Sequence, residues 1–386
     1  MKWYSRIKSY TAVEWLLFIA IISFQSPWFI WEYGLSVYLQ YFSISALLIL
    51  FVKHNRLKGG KGLPVFFLLL FYFVIGQVFN KVHLSYFFIV FAFILAVRIT
   101  QKESVNVLNM LTNYLFLSII IPLPFWLIHQ YVYPLPLFDV TDIGDMKSTS
   151  STLMENYFFF VTFQGMDAMR FYSWYDEPGV LGTLAPFILF ANKFNMKDRR
   201  IPIILVGCIF TYSMAYFILT LIGWAYTARS SLKSIIATTM GVFIIGFGMF
   251  YFLKNNDAFQ TSVVTRFMNY ETHGVESRIN YQTDLLWNKS LDSGKLILGN
   301  GSGAMDEFGG IAASYKSFIL EFGYVGCFML FVAYYSLLKR RDQLGLFTLF
   351  LFALSFLQRP QLFTAGWFLL FACVIGHLYR NGHETR

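Results

Sequence analysis

Charge is what this sequence has least of. Asp, Glu, Lys and Arg make up 13% of its 386 residues, against 57% hydrophobic residues and a mean hydropathy of +0.55. Soluble domains carry roughly 25% charged residues, so a water-facing globular domain is excluded. Cysteine is equally scarce: Cys208, Cys327 and Cys373 each fall inside an apolar run, with neither a disulfide framework nor ligand spacing. No HExxH and no histidine cluster occurs, so a transition-metal site has no support. The alternating short segments of a membrane barrel are missing. No internal repeat is visible, which weakens a transporter built on inverted halves.

What is present is a series of apolar runs, at about 12–30, 35–52, 63–79, 84–98, 106–128, 177–193, 201–213, 214–228, 234–253, 313–337, 343–357 and 361–378. They predict an all-α polytopic membrane protein of about twelve spans, with two long periplasmic loops carrying short amphipathic helices, one integral domain over 1–386. The stretch from 201 to 228 reads either as one long helix or as two runs with a break at Tyr212-Ser213. The N-terminal stretch MKWYSRIKSYTAVEW has no small-residue cleavage site after its apolar run and reads as a retained first helix. With both termini inside, 20 of the 30 Lys and Arg fall on the inner side, the bias expected of a plasma-membrane protein. The basic net charge of +9 is therefore topological, and a nucleic-acid partner is not expected.

Two outer segments are long, 129–176 and 254–312, and together hold 13 of the 21 acidic residues. Long loops in compact membrane proteins are more often functional than accidental. The first ends in RFYSWYDEPGVLGT, residues 170–183. Pro178 suits the first turn of a helix, which makes Glu177 its N-cap; that role is the plain reading of the carboxylate. Capping does not account for Arg170 or for the aromatic residues Phe171, Tyr172 and Trp174. Charge at a membrane-facing cavity is costly and marks function, and aromatics beside polar groups are a usual way to hold a sugar face. Asp139, Asp142 and Asp145 recur every third residue without an EF-hand pattern, which favours a solvated loop over calcium. His129 and His273 face outward singly.

The second loop holds Arg266, His273 and Arg278, then an expected amphipathic segment from Asn280 to Leu298 that starts with Tyr281 and carries Leu285, Leu286, Trp287 and Leu296 as anchors. LILGNGSGAMDEFGG follows; it is glycine-rich but lacks the GK[ST] ending of a phosphate loop. Glu321 lies inside the next apolar run, about 12 Å from its outer end at 1.5 Å per residue. A carboxylate at that depth lines a cavity or pairs with a neighbouring helix.

RFYSWYDEPGVLGT before a helix, ESRINYQ and LILGNGSG in a long outer loop, and SFILEFGYVGCF opening the next helix together resemble the bacterial O-antigen polymerases of the Wzy type. By motif the resemblance spans roughly 165–330, and elsewhere it is one of topology. The related ligases commonly carry a histidine eleven residues before the first glycine of a GxxG. Here Gly323 and Gly326 form the GxxG and Ala312 stands at that position, which favours a polymerase over a ligase. The resemblance implies inverting, metal-independent glycosyl transfer at the periplasmic face of the inner membrane, without a cofactor. It implies undecaprenyl-diphosphate-linked oligosaccharide as substrate, contact with membrane lipid, and a chain-length regulator as a partner. Arg170 and Arg278 would neutralise the diphosphate. Glu177 would be the base, and Arg266, His273, Tyr172, Trp174, Tyr281 and Glu321 would line the substrate site. A flippase of lipid-linked sugars is the alternative outside enzymes, but it calls for basic residues within the spans, which are nearly free of them.

Overall fold

The computed structural model describes residues 10–25, 27–77, 83–142, 153–164, 169–229, 281–309, 314–358 and 362–380, with 251, 260 and 264 singly. The expected run at 234–253 lies almost wholly outside them. In chain order the helices are α1 (Ala12–Gln25), the short α2 (Trp28–Trp31), α3 (Leu35–Lys53), α4 (Leu63–Phe73), α5 (Leu84–Arg98), α6 (Gln101–Ile120) and α7 (Pro122–Tyr131). After three strands come α8 (Pro178–Ala191), α9 (Arg200–Gly207), α10 (Met214–Ala228), α11 (Tyr281–Asp292), the short α12 (Ala304–Glu307), α13 (Tyr315–Ser336), α14 (Gln343–Gln358) and α15 (Ala365–Leu378). Among the described residues, three stretches are long and apolar enough to cross a membrane: Leu35–Lys53, the continuous Gln101–Tyr131 and Tyr315–Ser336. The chain is thus mostly helical and compatible with a membrane protein.

Two compact units divide the chain. One comprises residues 1–24, 35–108 and 272–386; the other comprises 25–34 and 109–271. In the first unit α5 packs along α15 and α4, and α13 packs along α4, α11 and α14. Apolar sequence alone would let these helices slide, and specific polar ties fix them. Arg56, in the turn after α3, grips Glu103 bidentately at 2.7 and 2.8 Å and the Arg98 carbonyl at 2.7 Å. Thr11 and Glu14 form a reciprocal capping pair at the start of α1. The second Glu14 oxygen accepts from Asn106 at 2.6 Å, so this buried carboxylate is fully bonded.

In the second unit α8 is buried along its whole length and packs against α10. Gly182 permits that approach, since a Cβ there would meet Ser213 Oγ at 2.6 Å. The break at Tyr212-Ser213 is present: a 3-10 turn, Cys208–Thr211, ends on Tyr212 with φ of 46°, and α10 begins after Ser213. At its C-terminus α8 ends on Asn192, whose amide nitrogen donates to the Ile188 carbonyl at 2.9 Å and Thr112 Oγ1 at 3.1 Å.

Two expectations need correction. The chain is mostly helical, but its first long loop folds as an antiparallel sheet rather than as short amphipathic helices. Its strands β1 (Asp139–Asp142), β2 (Leu153–Asn156) and β3 (Val161–Phe163) run in the order β1-β2-β3, with Asp139 opposite Asn156 and Met154 opposite Phe163. Side chains alternate between faces, so Met154, Val161 and Phe163 turn inward onto Tyr172, Trp28 and Trp31. Secondly, two of the four expected anchors of the amphipathic segment are buried within the protein, while Leu285 is exposed. Leu286 and Leu296 pack with Met305, Ile319 and Leu320 of the same unit, because α13 offers them an apolar face.

Candidate functional site

The first cluster of sequence-selected residues lies at the entrance to α8. Glu177 is the N-cap residue, extended at φ −145° and ψ 138°, and Pro178 follows it in the first turn as expected. The side chain of Glu177 makes no capping hydrogen bond. The Val180 amide is satisfied instead by the Glu177 backbone carbonyl at 3.1 Å. Arg170 is buried, and its Nε donates to the Thr211 carbonyl at 3.0 Å. The neighbouring Phe171 amide donates to the Phe210 carbonyl at 2.9 Å. This pair closes the C-terminal end of the 3-10 turn, where helix carbonyls lack internal partners.

The aromatic residues around Arg170 do structural work that their sequence did not announce. Phe171 and Tyr172 are 0% and 2% exposed, and Tyr172 belongs to the core beneath the sheet. Tyr172 therefore presents no face to a sugar, which corrects its assignment: the sheet supplies an apolar layer that the sequence did not reveal. Trp174 donates from Nε1 to the Phe159 carbonyl at 3.0 Å, and its own carbonyl accepts from the Trp28 amide at 2.7 Å. It stitches the 27–28 segment to the β2–β3 loop. Arg266, His273 and Arg278 lie outside the described residues. Tyr281 opens α11 and is exposed.

The second cluster surrounds Glu321 in the other unit. Helix α13 is discontinuous: Gly323 has φ 67° and ψ 179°, so the helix stops at Phe322 and restarts at Tyr324. A break strands carbonyls on one side and amides on the other, and within a bilayer such groups need protein partners. The glycine-rich turn provides them. Asn300 and Gly301 amides donate to the Leu320 and Glu321 carbonyls at 2.8 and 3.0 Å, while Tyr324 and Val325 amides donate to the Leu296 and Ile297 carbonyls at 2.9 and 3.1 Å. Tyr72 from α4 donates its hydroxyl toward the Phe322 carbonyl at 2.6 Å and lies 3.0 Å from that of Leu298. The glycines that look like a phosphate loop are there to let two backbones touch.

Over this junction sits the Glu321 carboxylate. The Gly303 and Met305 backbone amides donate to it. Beside it the hydroxyls of Tyr86 and Ser302 are 2.9 Å apart, and the Ser302 amide donates to Gln77 Oε1 at 3.0 Å. Gln77 and Ser302 are buried. Among the described residues no Lys or Arg forms an ion pair with Glu321. The result is a half-buried carboxylate ringed by hydroxyl and amide groups inside an apolar helix bundle, an arrangement suited to accepting a proton or holding a hydroxyl.

The chain matches no protein-family model, no curated protein and no solved structure. Tyr72, Gln77, Tyr86, Asn300 and Ser302 carried no signal of their own along the chain. The spaced glycines at 299, 301 and 303 and the pair at 323 and 326 were the available sign that two distant backbones meet.

Proposed function

We propose that this protein is an inner-membrane glycosyltransferase that polymerises oligosaccharide repeat units carried on undecaprenyl diphosphate. The observation that carries the reading is Glu177. It holds the N-cap position of a wholly buried helix, at the end of the loop that carries the buried Arg170, and its side chain makes no capping hydrogen bond. In this reading about twelve spans cross the bilayer with both termini in the cytoplasm, which turns Glu177 outward at the level of lipid headgroups.

The chemistry is a single inverting displacement. An acceptor sugar hydroxyl attacks the anomeric carbon of the growing chain, the bond from that carbon to the diphosphate oxygen breaks, and the hydroxyl proton passes to Glu177. The departing lipid diphosphate gains negative charge, and guanidinium groups stabilise it. Arg278 takes the main share. Arg170, whose Nε donates to the Thr211 carbonyl, adds its charge to that of Arg278. Glu321 lines the path of the acceptor.

Purified protein supplied with lipid-diphosphate-linked repeat units should build a ladder of products. Transfer to lipid A core in place of chain growth would identify a ligase instead. Movement of the lipid between leaflets without new glycosidic bonds would identify a flippase.

A further inference from the structure

The sheet in the first long loop has a second face, and nothing in the scheme above uses it. Because side chains alternate along a strand, Val140 and its cross-strand partner Glu155 point away from the core that takes Met154 and Val161. Phe138 extends β1 by one residue, its amide donating to the Asn156 carbonyl at 2.9 Å, and shares the face with Val140. Phe138 is 67% exposed and Phe158, at the tip of the β2–β3 loop, is 58% exposed. Their rings meet edge to face at 5.7 Å.

Phe158 is held in an uncommon conformation. Its φ is 69°, and its amide is anchored by Asn156 Oδ1 at 2.8 Å. A bulky L residue at positive φ is a genuine outlier, and such strain clusters at ligand sites. Glycine would relieve it, yet the position carries a large ring turned to the outside. Next to it Glu155 accepts from the Tyr157 hydroxyl and from Gln164 Nε2, each at 2.9 Å. A carboxylate tied to a carboxamide and a phenol offers acceptors and donors side by side.

We propose that this face, formed by Phe138, Val140, Glu155, Tyr157, Phe158 and Gln164, is a binding site for a neutral sugar unit of a glycan chain. A pyranose has an apolar C–H face for an aromatic ring and hydroxyls that both donate and accept, which matches the mixed pair at Glu155 and Gln164. Charge selects the neutral class. On this face the strands carry Asp142 and Glu155 and, among the described residues, no Lys or Arg. A uronate or a phosphate would meet like charge there. The inference rests on the proposed function only in taking the ligand for a glycan. It needs neither lipid carrier nor transfer.

The test is saturation-transfer NMR on the full chain in detergent micelles. The probes are neutral hexasaccharides of glucose, mannose, galactose and N-acetylglucosamine, with hexagalacturonate for comparison. At least one neutral probe should receive saturation with a titratable response, and hexagalacturonate should bind more weakly. Gln164→Ala and Phe158→Ala should each weaken binding by about fivefold or more, the effect of one lost interaction. Phe158→Gly, which suits the positive φ, should bind as poorly as Ala. Glu177→Gln should bind normally while losing polymerisation, which separates this site from the catalytic reading. No transfer to any neutral probe, equal binding by the Ala variants, or recovery in Phe158→Gly would overturn the proposal. So would unchanged sugar binding in Phe158→Ala with weakened insertion into phosphatidylglycerol vesicles, which would make the ring a bilayer anchor.

Discussion

Gly299 and Gly323 lie backbone against backbone. A Cβ on Gly323 would sit 2.5 Å from the Gly299 nitrogen, and a Cβ on Gly299 would collide with the Glu321 carbonyl. Both have positive φ, 87° and 67°. The discontinuity in α13 and the turn that repairs it are therefore one structural unit.

Alanine at either position should be severely destabilising, because the left-handed strain of about 1–2 kcal/mol is joined by a backbone collision that no rotamer can relieve. Gly294 is the control. It has φ 71° but open space around its Cα, so Gly294→Ala should show the strain alone. Thermal unfolding in detergent, followed by tryptophan fluorescence, should rank wild type, Gly294→Ala, then the other two well below. Equal melting points for all three variants would mean that the backbones do not touch.

Much of the helical framework was legible in the sequence because apolar runs bury themselves wherever they find partners. The Tyr212-Ser213 break could be read for the same reason: two polar groups interrupt a run otherwise too long for its position. The sheet could not. Its strands are three and four residues long, and pairing such as Asp139 with Asn156 is non-local, so no periodicity survives in the sequence. That one omission also hid the burial of Tyr172, whose core is the underside of the sheet. Likewise Glu177 could be placed at a helix start, but that its side chain leaves the cap unmade is a matter of geometry alone.

Asp198 offers a pH test in the loop between α8 and α9. Hydrogen bonds from Arg200 Nε at 2.9 and 3.1 Å hold its carboxyl below the ordinary range, with a smaller opposing push from burial. A group whose folded pKa is depressed stabilises the protein above its unfolded pKa of about 3.9 and loses that contribution as pH falls through the lower folded value. Wild type should therefore out-melt Asp198→Asn at neutral pH, and the gap should close as pH drops below about 4. A gap that stays constant into acid would assign the difference to something other than this ion pair.

Arg278 separates a solvated charge from a diphosphate clamp. Lysine keeps the charge and loses the planar fork, so Arg278→Lys should retain weak polymerisation and Arg278→Ala almost none. One missing charge-assisted donor at a developing anion removes about 10²–10³-fold in rate. Polymer yield at equal membrane expression reads the order. Full ladders from both variants would move the clamp to Arg170 or Arg266, and activity that vanishes in EDTA and returns with magnesium would replace it with a metal ion.

Glu177→Gln is the decisive substitution for the proposed chemistry. The amide keeps the shape of the carboxylate and cannot take a proton, so polymerisation should stop if this residue is the base. A capping carboxylate would behave oppositely, costing about 1 kcal/mol of stability and little activity. Since Glu177 makes no side-chain cap, the Gln variant should stay folded while the ladder disappears. Glu321→Gln provides the contrast: its carboxylate receives the Gly303 and Met305 amides, so that variant should lower stability and activity together. A stable Glu177→Gln protein that still builds full-length polymer would remove Glu177 from the mechanism and leave Glu321 as the carboxylate to test next.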